Sequence, residues 1–219
     1  MMNPTASVLS SGRVGSGRSA PSIPLSPCTY AAWLAGTTIG RSAPECTGTS
    51  SSSKVLVVSA HYDHLGVRKG EVYNGADDNA SGVAGLLAVA EAFKVKPPRH
   101  TVLIVAFDGE ESGLRGARAF VAAPPVPLET IGLNVNFDMI SKNRKGELYV
   151  SGAGPQPWLK PVLSNVAKTA PVKLRLGHDT DAEGKENNWT MQSDQGPFAQ
   201  AGVPWVYFGV EDHPEYHKP

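Results

Sequence analysis

The sequence has no excess of charge of either sign: Lys+Arg and Asp+Glu both number 20 in 219 residues, so the formal net charge is zero. Nucleic acids and anionic membranes are normally met by a basic patch or stripe, and this balance predicts no such partner. No apolar run approaches the roughly 20 residues that a helix needs to cross a bilayer, which argues against membrane insertion. No basic start leads into a long apolar stretch, so the N-terminus does not read as a signal peptide. Cysteine is scarce. Cys28 and Cys46 lack the spacing of a zinc-ligand pair, can pair in an oxidising compartment or both stay free, and are given no catalytic role.

The chain is long enough for one domain with a substantial core, and its 41% hydrophobic content is ordinary for a globular protein. Residues 1–53 differ from the rest. They are rich in Ser, Gly, Pro and Thr, repeat Gly-Arg-Ser-Ala-Pro at 17–21 and 40–44, and hold one apolar stretch around 30–36. Such composition buries little apolar surface and reads as an irregular or flexible segment. From Lys54 the texture changes. A short apolar, β-branched run at 54–60 predicts a buried strand, with further strands at 101–107, 131–137, 147–151 and 203–208, and helices are predicted at 81–94, 113–122, 158–169 and 195–201. Strands alternating with helices predict an α/β domain layered around a largely parallel sheet.

Ligands of such sheets bind in the crevice at the carboxyl ends of the strands. The polar clusters of this sequence fall there. His61, Asp63 and His64 follow the first strand; Asp77, Asp78 and Asn79 precede the long helix. Asp108, Glu110 and Glu111 follow the second strand, Asp138 closes the third, and Asp212, His213 and His217 follow the last. Each cluster alone has an ordinary structural reading. Asp78 and Ser81 suit a helix cap; Asp108 and Glu111 have capping-box spacing; Asp138 suits a turn, and His61 and His217 suit a surface loop. Five clusters of carboxylate and imidazole converging on one sheet edge instead suit zinc, which takes these ligand types and in catalytic sites keeps a position open. A pair of metals also needs a carboxylate able to bridge them.

The order and spacing of His61-Tyr62-Asp63, Gly75-Ala76-Asp77-Asp78-Asn79-Ala80-Ser81-Gly82, Gly109-Glu110-Glu111-Ser112-Gly113, Asn136-Phe137-Asp138-Met139-Ile140 and Tyr216-His217 resemble the M28 family of zinc peptidases, of the bacterial dizinc aminopeptidase type. The resemblance runs from about residue 55 to the end. It implies a zinc exopeptidase-like three-layer sandwich with a mixed, largely parallel central sheet, two Zn²⁺ ions, a peptide substrate, and release of N-terminal residues by a water bridging the metals. His61 and Asp138 would bind one zinc, Glu111 and His217 the other, and Asp78 would bridge both. Asp63 would accept the hydrogen bond from the far ring nitrogen of His61. Glu110 would be the general base and Tyr216 would polarise the scissile carbonyl. Asp78 is taken over Asp77 because it directly precedes Asn79, and His217 over His213 because it follows a tyrosine. His64 and His213 are placed near the metals rather than on them, and His100 and His178 on the surface.

The resemblance leans towards a periplasmic or secreted protein and leaves the oligomeric state open. It also brings out departures. The chain ends at Pro219, without the helix that closes the family's domain after its last ligand, so residues 54–219 are expected to form a catalytic domain with a weakened second metal site. Gln195 stands in a pocket loop, 193–198, where many relatives have His. Gly82 and Gly85 are expected to let the long helix pack close beneath the site. Trp189 and Trp205 are candidates for a pocket lining, with a core position the stronger reading for Trp205. A glutaminyl-cyclase-like enzyme with one zinc and a catalytically inactive binding module are the alternative readings of the same scaffold.

Overall fold

The structure, a computed structural model, describes residues 31–33, 45–46 and 54–219. Its elements in chain order are β1 (Ala31–Trp33), β2 (Glu45–Cys46), β3 (Val55–His61), β4 (Gly66–Arg68), β5 (Glu71–Tyr73), α1 (Gly82–Val95), β6 (Thr101–Phe107), α2 (Arg115–Ala122), β7 (Ile131–Phe137), β8 (Glu147–Ser151), α3 (Leu159–Ala167), β9 (Lys173–Leu176), α4 (Gln195–Gln200) and β10 (Trp205–Gly209). Eight strands form one sheet in the order β1-β6-β3-β7-β10-β8-β9, with β2 beside β6; β4 and β5 make a separate hairpin. The central strands β6, β3, β7 and β10 are mutually parallel, and β8 runs antiparallel to β10. The mixed, largely parallel sheet expected from the sequence is therefore present. The strands β1 and β2 come from the segment expected to be irregular, β1 from its apolar stretch; Cys28 lies outside the described residues, so the cysteine pairing does too.

The apolar runs become strands because both their faces are covered. Val55 and Val57 of β3, with Leu103, Val105 and Phe107 of β6, pack under Ala117 and Phe120 of α2 and Phe198 of α4. The alternate residues Val58, Ala60, Val102 and Ile104 pack against Leu86 and Ala90 of α1. Val150 and Val206 meet Leu159 and Leu163 of α3, and Val135 touches the clusters under both α1 and α3, which places those two helices on one face. Helices on both faces of the sheet make the three layers. At Gly82 a Cβ would lie 2.5 Å from the carbonyl oxygen of Phe137, so glycine is what lets α1 approach β7, as expected.

Differences from the expectation are local. The helix expected from residue 113 begins at Arg115, because Gly113 and Leu114 take positive φ (100° and 58°) and Gly109–Leu114 form a turn instead. Glu110 and Glu111 sit in that turn, ahead of the helix, and not in a capping box. Ser81 likewise makes no capping bond: its hydroxyl donates to the carbonyl of Asp77 (2.6 Å) and accepts from the Ile140 N–H (2.9 Å). β4, β5 and β9 were not expected; they are short and mostly exposed, with no apolar run to mark them.

Candidate metal centre

Because β3, β6, β7 and β10 are parallel, their carboxyl ends share one edge, and the polar clusters meet there. His61, the last residue of β3, is fully buried. Its Nε2 stands 3.1 Å from Asp138 Oδ1, just past β7, and 3.4 Å from Asp78 Oδ1. Its Nδ1 lies 3.1 Å from the backbone carbonyl of Asp63 and 3.6 Å from that residue's carboxylate. The Asp63 carboxylate itself accepts from the backbone N–H groups of Glu110 (3.1 Å) and Glu111 (3.2 Å), fastening the turn after β6 to the end of β3.

Asp78 lies in the irregular turn Ala76–Ser81, where Asp78 and Asn79 leave helical geometry. Its second oxygen, Oδ2, is 3.1 Å from Nε2 of His217 and 3.6 Å from Nδ1 of His64. Glu111 meets the same two rings: Oε2 is 3.3 Å from His217 Nε2, and Oε1 is 2.8 Å from His64 Nδ1. Two groups of donors result, each with ligand atoms within 4.8 Å of one another. One comprises His61, Glu110 and Asp138, the other His64, Asp78, Glu111 and His217. Neighbouring Asp77 faces elsewhere. Its Oδ1 accepts from the N–H and hydroxyl of Ser141 and the N–H of Lys142, and its Oδ2 faces His213 Nε2 at 3.2 Å.

These donors fit zinc. Two ligands of a tetrahedral zinc, each about 2.0–2.1 Å from the metal, stand roughly 3.3 Å apart, close to the 3.1–3.4 Å from His61 to Asp78 and Asp138 and from His217 to Asp78 and Glu111. Glu111 Oε1 and His64 Nδ1 are buried without a hydrogen-bond partner, as expected of atoms placed for a cation.

Charge crowding shows in the carboxyl groups of the site. Burial, then the Asp138, Asp194 and Glu111 charges, push Glu110 up to about 9 against the pull of His61. Burial, then Asp138 and Glu111, push Asp78 to about 6; burial, then Asp138 and Asp63, push Asp194 to about 7. For His61, burial alone would lower the pKa, but the charge and hydrogen bond of Asp138 win and it is raised. All four hold more protons folded than unfolded, so stability falls as pH rises through their folded values. In chelator, the melting temperature is expected to fall between pH 5 and pH 9, and added zinc to flatten or reverse the trend by replacing those protons. Asp63 is shifted the other way, downward, because hydrogen bonds outweigh burial, and acts below this window; His64, lowered chiefly by burial, opposes the fall only at the acid end of the window. A melting temperature in chelator that is flat or rising over this range contradicts the account.

For several residues the fold shows a role that the sequence does not. Asn79 is buried and joins three ligand-bearing segments. Its Nδ2 donates to the carbonyls of His61 (3.2 Å) and Phe137 (3.0 Å), and its Oδ1 accepts from the N–H groups of Gly82 (3.0 Å) and Met139 (3.1 Å). Below the site, Ser59, Asn134, Asn136, Ser193 and Gln195 form a buried chain of hydrogen bonds. Gln195, expected in a pocket wall, is fully buried, accepts from Asn136 and donates to the Trp189 carbonyl, so its role is to join the loop to β7. His178, expected on the surface, stacks on Trp189 at 3.7 Å between ring centres. Trp205 is in the core, as expected, and Trp189 is buried beside it. A cleft of about 360 Å³ opens over the second donor group, lined by His64, Asp78, Lys142, His213, Tyr216 and His217 among others. Tyr216 stacks on His217 at 3.9 Å, and burial followed by Asp78 raises its pKa.

Residues 43–219 match the sequence model of peptidase family M28. The probable lipoprotein aminopeptidase LpqL of Mycobacterium tuberculosis is 30% identical over 167 residues, 72% of this chain and 32% of its own length. Aminopeptidase YwaD of Bacillus subtilis is 29% identical over 177 residues, covering 75% and 35% respectively. Among solved structures, the Bacillus subtilis zinc aminopeptidase BSAP is similar with a TM-score of 0.62 and 27% identity, over 80% of this chain and 42% of that one. An Acidobacteriales glutaminyl cyclase, at TM-score 0.63 and 21% identity, over 80% of this chain and 62% of that one, shares the fold. The chain spans about a third of the length of these two curated relatives.

Proposed function

The chain belongs to peptidase family M28, and from that membership we propose that it is a zinc-dependent aminopeptidase holding two Zn²⁺ ions and releasing N-terminal residues from peptides. The observation that carries the reading is the division of one carboxylate between two donor groups: Asp78 Oδ1 faces His61, and Asp78 Oδ2 faces His217. A bridging carboxylate is what a paired-metal site requires. His61 and Asp138 would hold one ion, Glu111 and His217 the other, and Asp78 would serve both. Bound zinc supplies a Lewis acid that polarises the scissile carbonyl and makes water acidic enough to attack at neutral pH.

The remaining steps belong to the chain. Glu110, half-buried beside His61 and Asp138, takes a proton from the attacking water and returns it to the departing amine. The water oxygen adds to the carbonyl carbon first; the C–N bond then breaks as its nitrogen receives the proton that Glu110 carried, and the carboxylic acid formed loses its own proton to solvent, leaving a carboxylate and a free N-terminus. Tyr216, its phenol kept protonated by burial, is a hydrogen-bond donor to the carbonyl oxygen from the wall of the cleft. Asp63 holds Glu110 and Glu111 in register with His61 through their backbone N–H groups. On this reading residues 54–219 are the catalytic domain and the substrate is a peptide.

The test is zinc content of the purified chain together with hydrolysis of aminoacyl chromogenic substrates and their N-acetylated counterparts. Close to two zincs per chain, with chelator-sensitive cleavage of the free-amine substrates only, is expected. One zinc with cyclisation of N-terminal glutamine would replace the reading by a glutaminyl-cyclase-like one. A folded chain with neither zinc nor cleavage would leave a binding module.

A further inference from the structure

The sequence places His64 near the metals and not on them, and the aminopeptidase reading above gives it no role. The geometry gives it one. His64 follows β3 by three residues and is held against the irregular turn that bears Asp78. Gly75, at φ 65°, leaves the room: a Cβ there would come within 2.9 Å of both Cβ and Cγ of His64. The ring is thereby seated with Nδ1 towards Glu111 Oε1 (2.8 Å) and Asp78 Oδ2 (3.6 Å). The His217 ring approaches the same two carboxylates from a centroid 5.7 Å from that of His64.

The ordinary explanation for such a histidine is a hydrogen bond to Glu111. It does not hold here. Nδ1 and Oε1 are close, yet neither has a hydrogen-bond partner, although both atoms are out of reach of solvent. A buried donor or acceptor left unpaired costs roughly 1–3 kcal/mol, and a cation between the two atoms removes that cost for both at once. The donor types agree, one imidazole nitrogen and one carboxylate oxygen.

We propose that His64 is a direct ligand, through Nδ1, of the cation held by Asp78, Glu111 and His217, completing a site with four protein side chains. The proposal rests on the two-metal reading above for the existence of that cation. It makes the two ions unequal, because His61, Asp138 and the shared Asp78 give the other ion three side chains. It also ties the loop after β3 to the C-terminal loop through the metal, since His64 and His217 lie on those two segments.

The experiment is a zinc titration of the full chain and its His64→Asn variant, with cobalt spectroscopy of His64→Cys. Asparagine keeps an amide near the position of Nδ1 and can still hydrogen-bond Glu111, but it is a poor zinc ligand. His64→Asn is expected to weaken the second zinc-binding step by at least about 100-fold, more than loss of an outer hydrogen-bonding partner usually costs, and to leave the first step unchanged. Cobalt-loaded His64→Cys is expected to show an intense near-ultraviolet thiolate-to-cobalt band, with the wild-type chain, which carries Cys28 and Cys46, as the control. An undiminished second step in His64→Asn overturns the proposal, as does a folded, cobalt-loaded His64→Cys protein without the band. Wild-type stoichiometry is read separately: fewer than two zincs defeats the two-metal reading, while the band in His64→Cys still decides whether position 64 binds metal.

Discussion

Glu110→Gln is expected to lower turnover by about 10²- to 10⁴-fold, the range over which a positioned general base contributes, while zinc content stays at the wild-type level. The substitution separates two roles that the geometry places side by side, because Glu110 lies in one donor group with His61 and Asp138. If Glu110 were a ligand, its amide would bind zinc poorly and metal would be lost with activity. If it moves the proton, only activity is lost, since an amide neither accepts a proton from water nor delivers one to an amine. The variant should fold well. In the metal-free site Glu110 is pushed up to about 9, chiefly by burial, so the neutral carboxyl is already the form that the folded chain accommodates, and glutamine has nearly its shape. A second readout follows: without this group the fall of melting temperature with pH in chelator should be shallower than in wild type. Zinc content by mass spectrometry, turnover on an aminoacyl substrate and the melting curves decide the matter together. Turnover within a few-fold of wild type removes Glu110 as the base.

The parts of this protein that are legible in its sequence are those where one physical demand dominates. Val55–His61 and Thr101–Phe107 are mostly apolar runs with several β-branched residues because both faces of their strands are covered. The polar clusters at the strand ends stand out against those runs, while the choice of His61, Asp78, Glu111, Asp138 and His217 within them is what the resemblance to the M28 family implies. What was not legible depends on partners far along the chain. Ser59, Asn134 and Asn136 sit inside strands, where a polar residue suggests a solvated face; they are buried because they satisfy one another across β3, β7 and the 193–195 loop. Gln195 belongs to the same chain of hydrogen bonds, so it sits in the core and not in the wall of a pocket. Asn79 was visible as part of the motif used to choose Asp78, but its four bonds to three separate segments could be seen only in the fold. The turn that carries Glu110 and Glu111 ahead of the helix is hidden for a related reason: it depends on Gly113 and Leu114 at positive φ, which no helical spacing reveals.

Asp78→Ala is expected to weaken both zinc-binding steps together, and that joint loss is what marks a bridging ligand. Each oxygen of Asp78 serves a different group, Oδ1 at 3.4 Å from His61 Nε2 and Oδ2 at 3.1 Å from His217 Nε2, so removing the carboxylate takes one donor from each site. It also removes the negative charge between two cations that would otherwise repel across a gap of roughly 3.5–4 Å. The apo protein should respond differently. Without metal, burial and the Asp138 and Glu111 charges push Asp78 to about 6, so near neutral pH its ionised form opposes folding, and alanine relieves that strain. In chelator at pH 8 the variant should therefore melt at or above the wild-type temperature, whereas the rise in melting temperature that zinc gives wild type should be lost with the affinity. The contrast separates a lost ligand from a damaged fold: a misfolded variant melts low with and without metal. Should one zinc stay at full occupancy in Asp78→Ala, the carboxylate serves a single ion, and the division of its oxygens between His61 and His217 reflects packing alone.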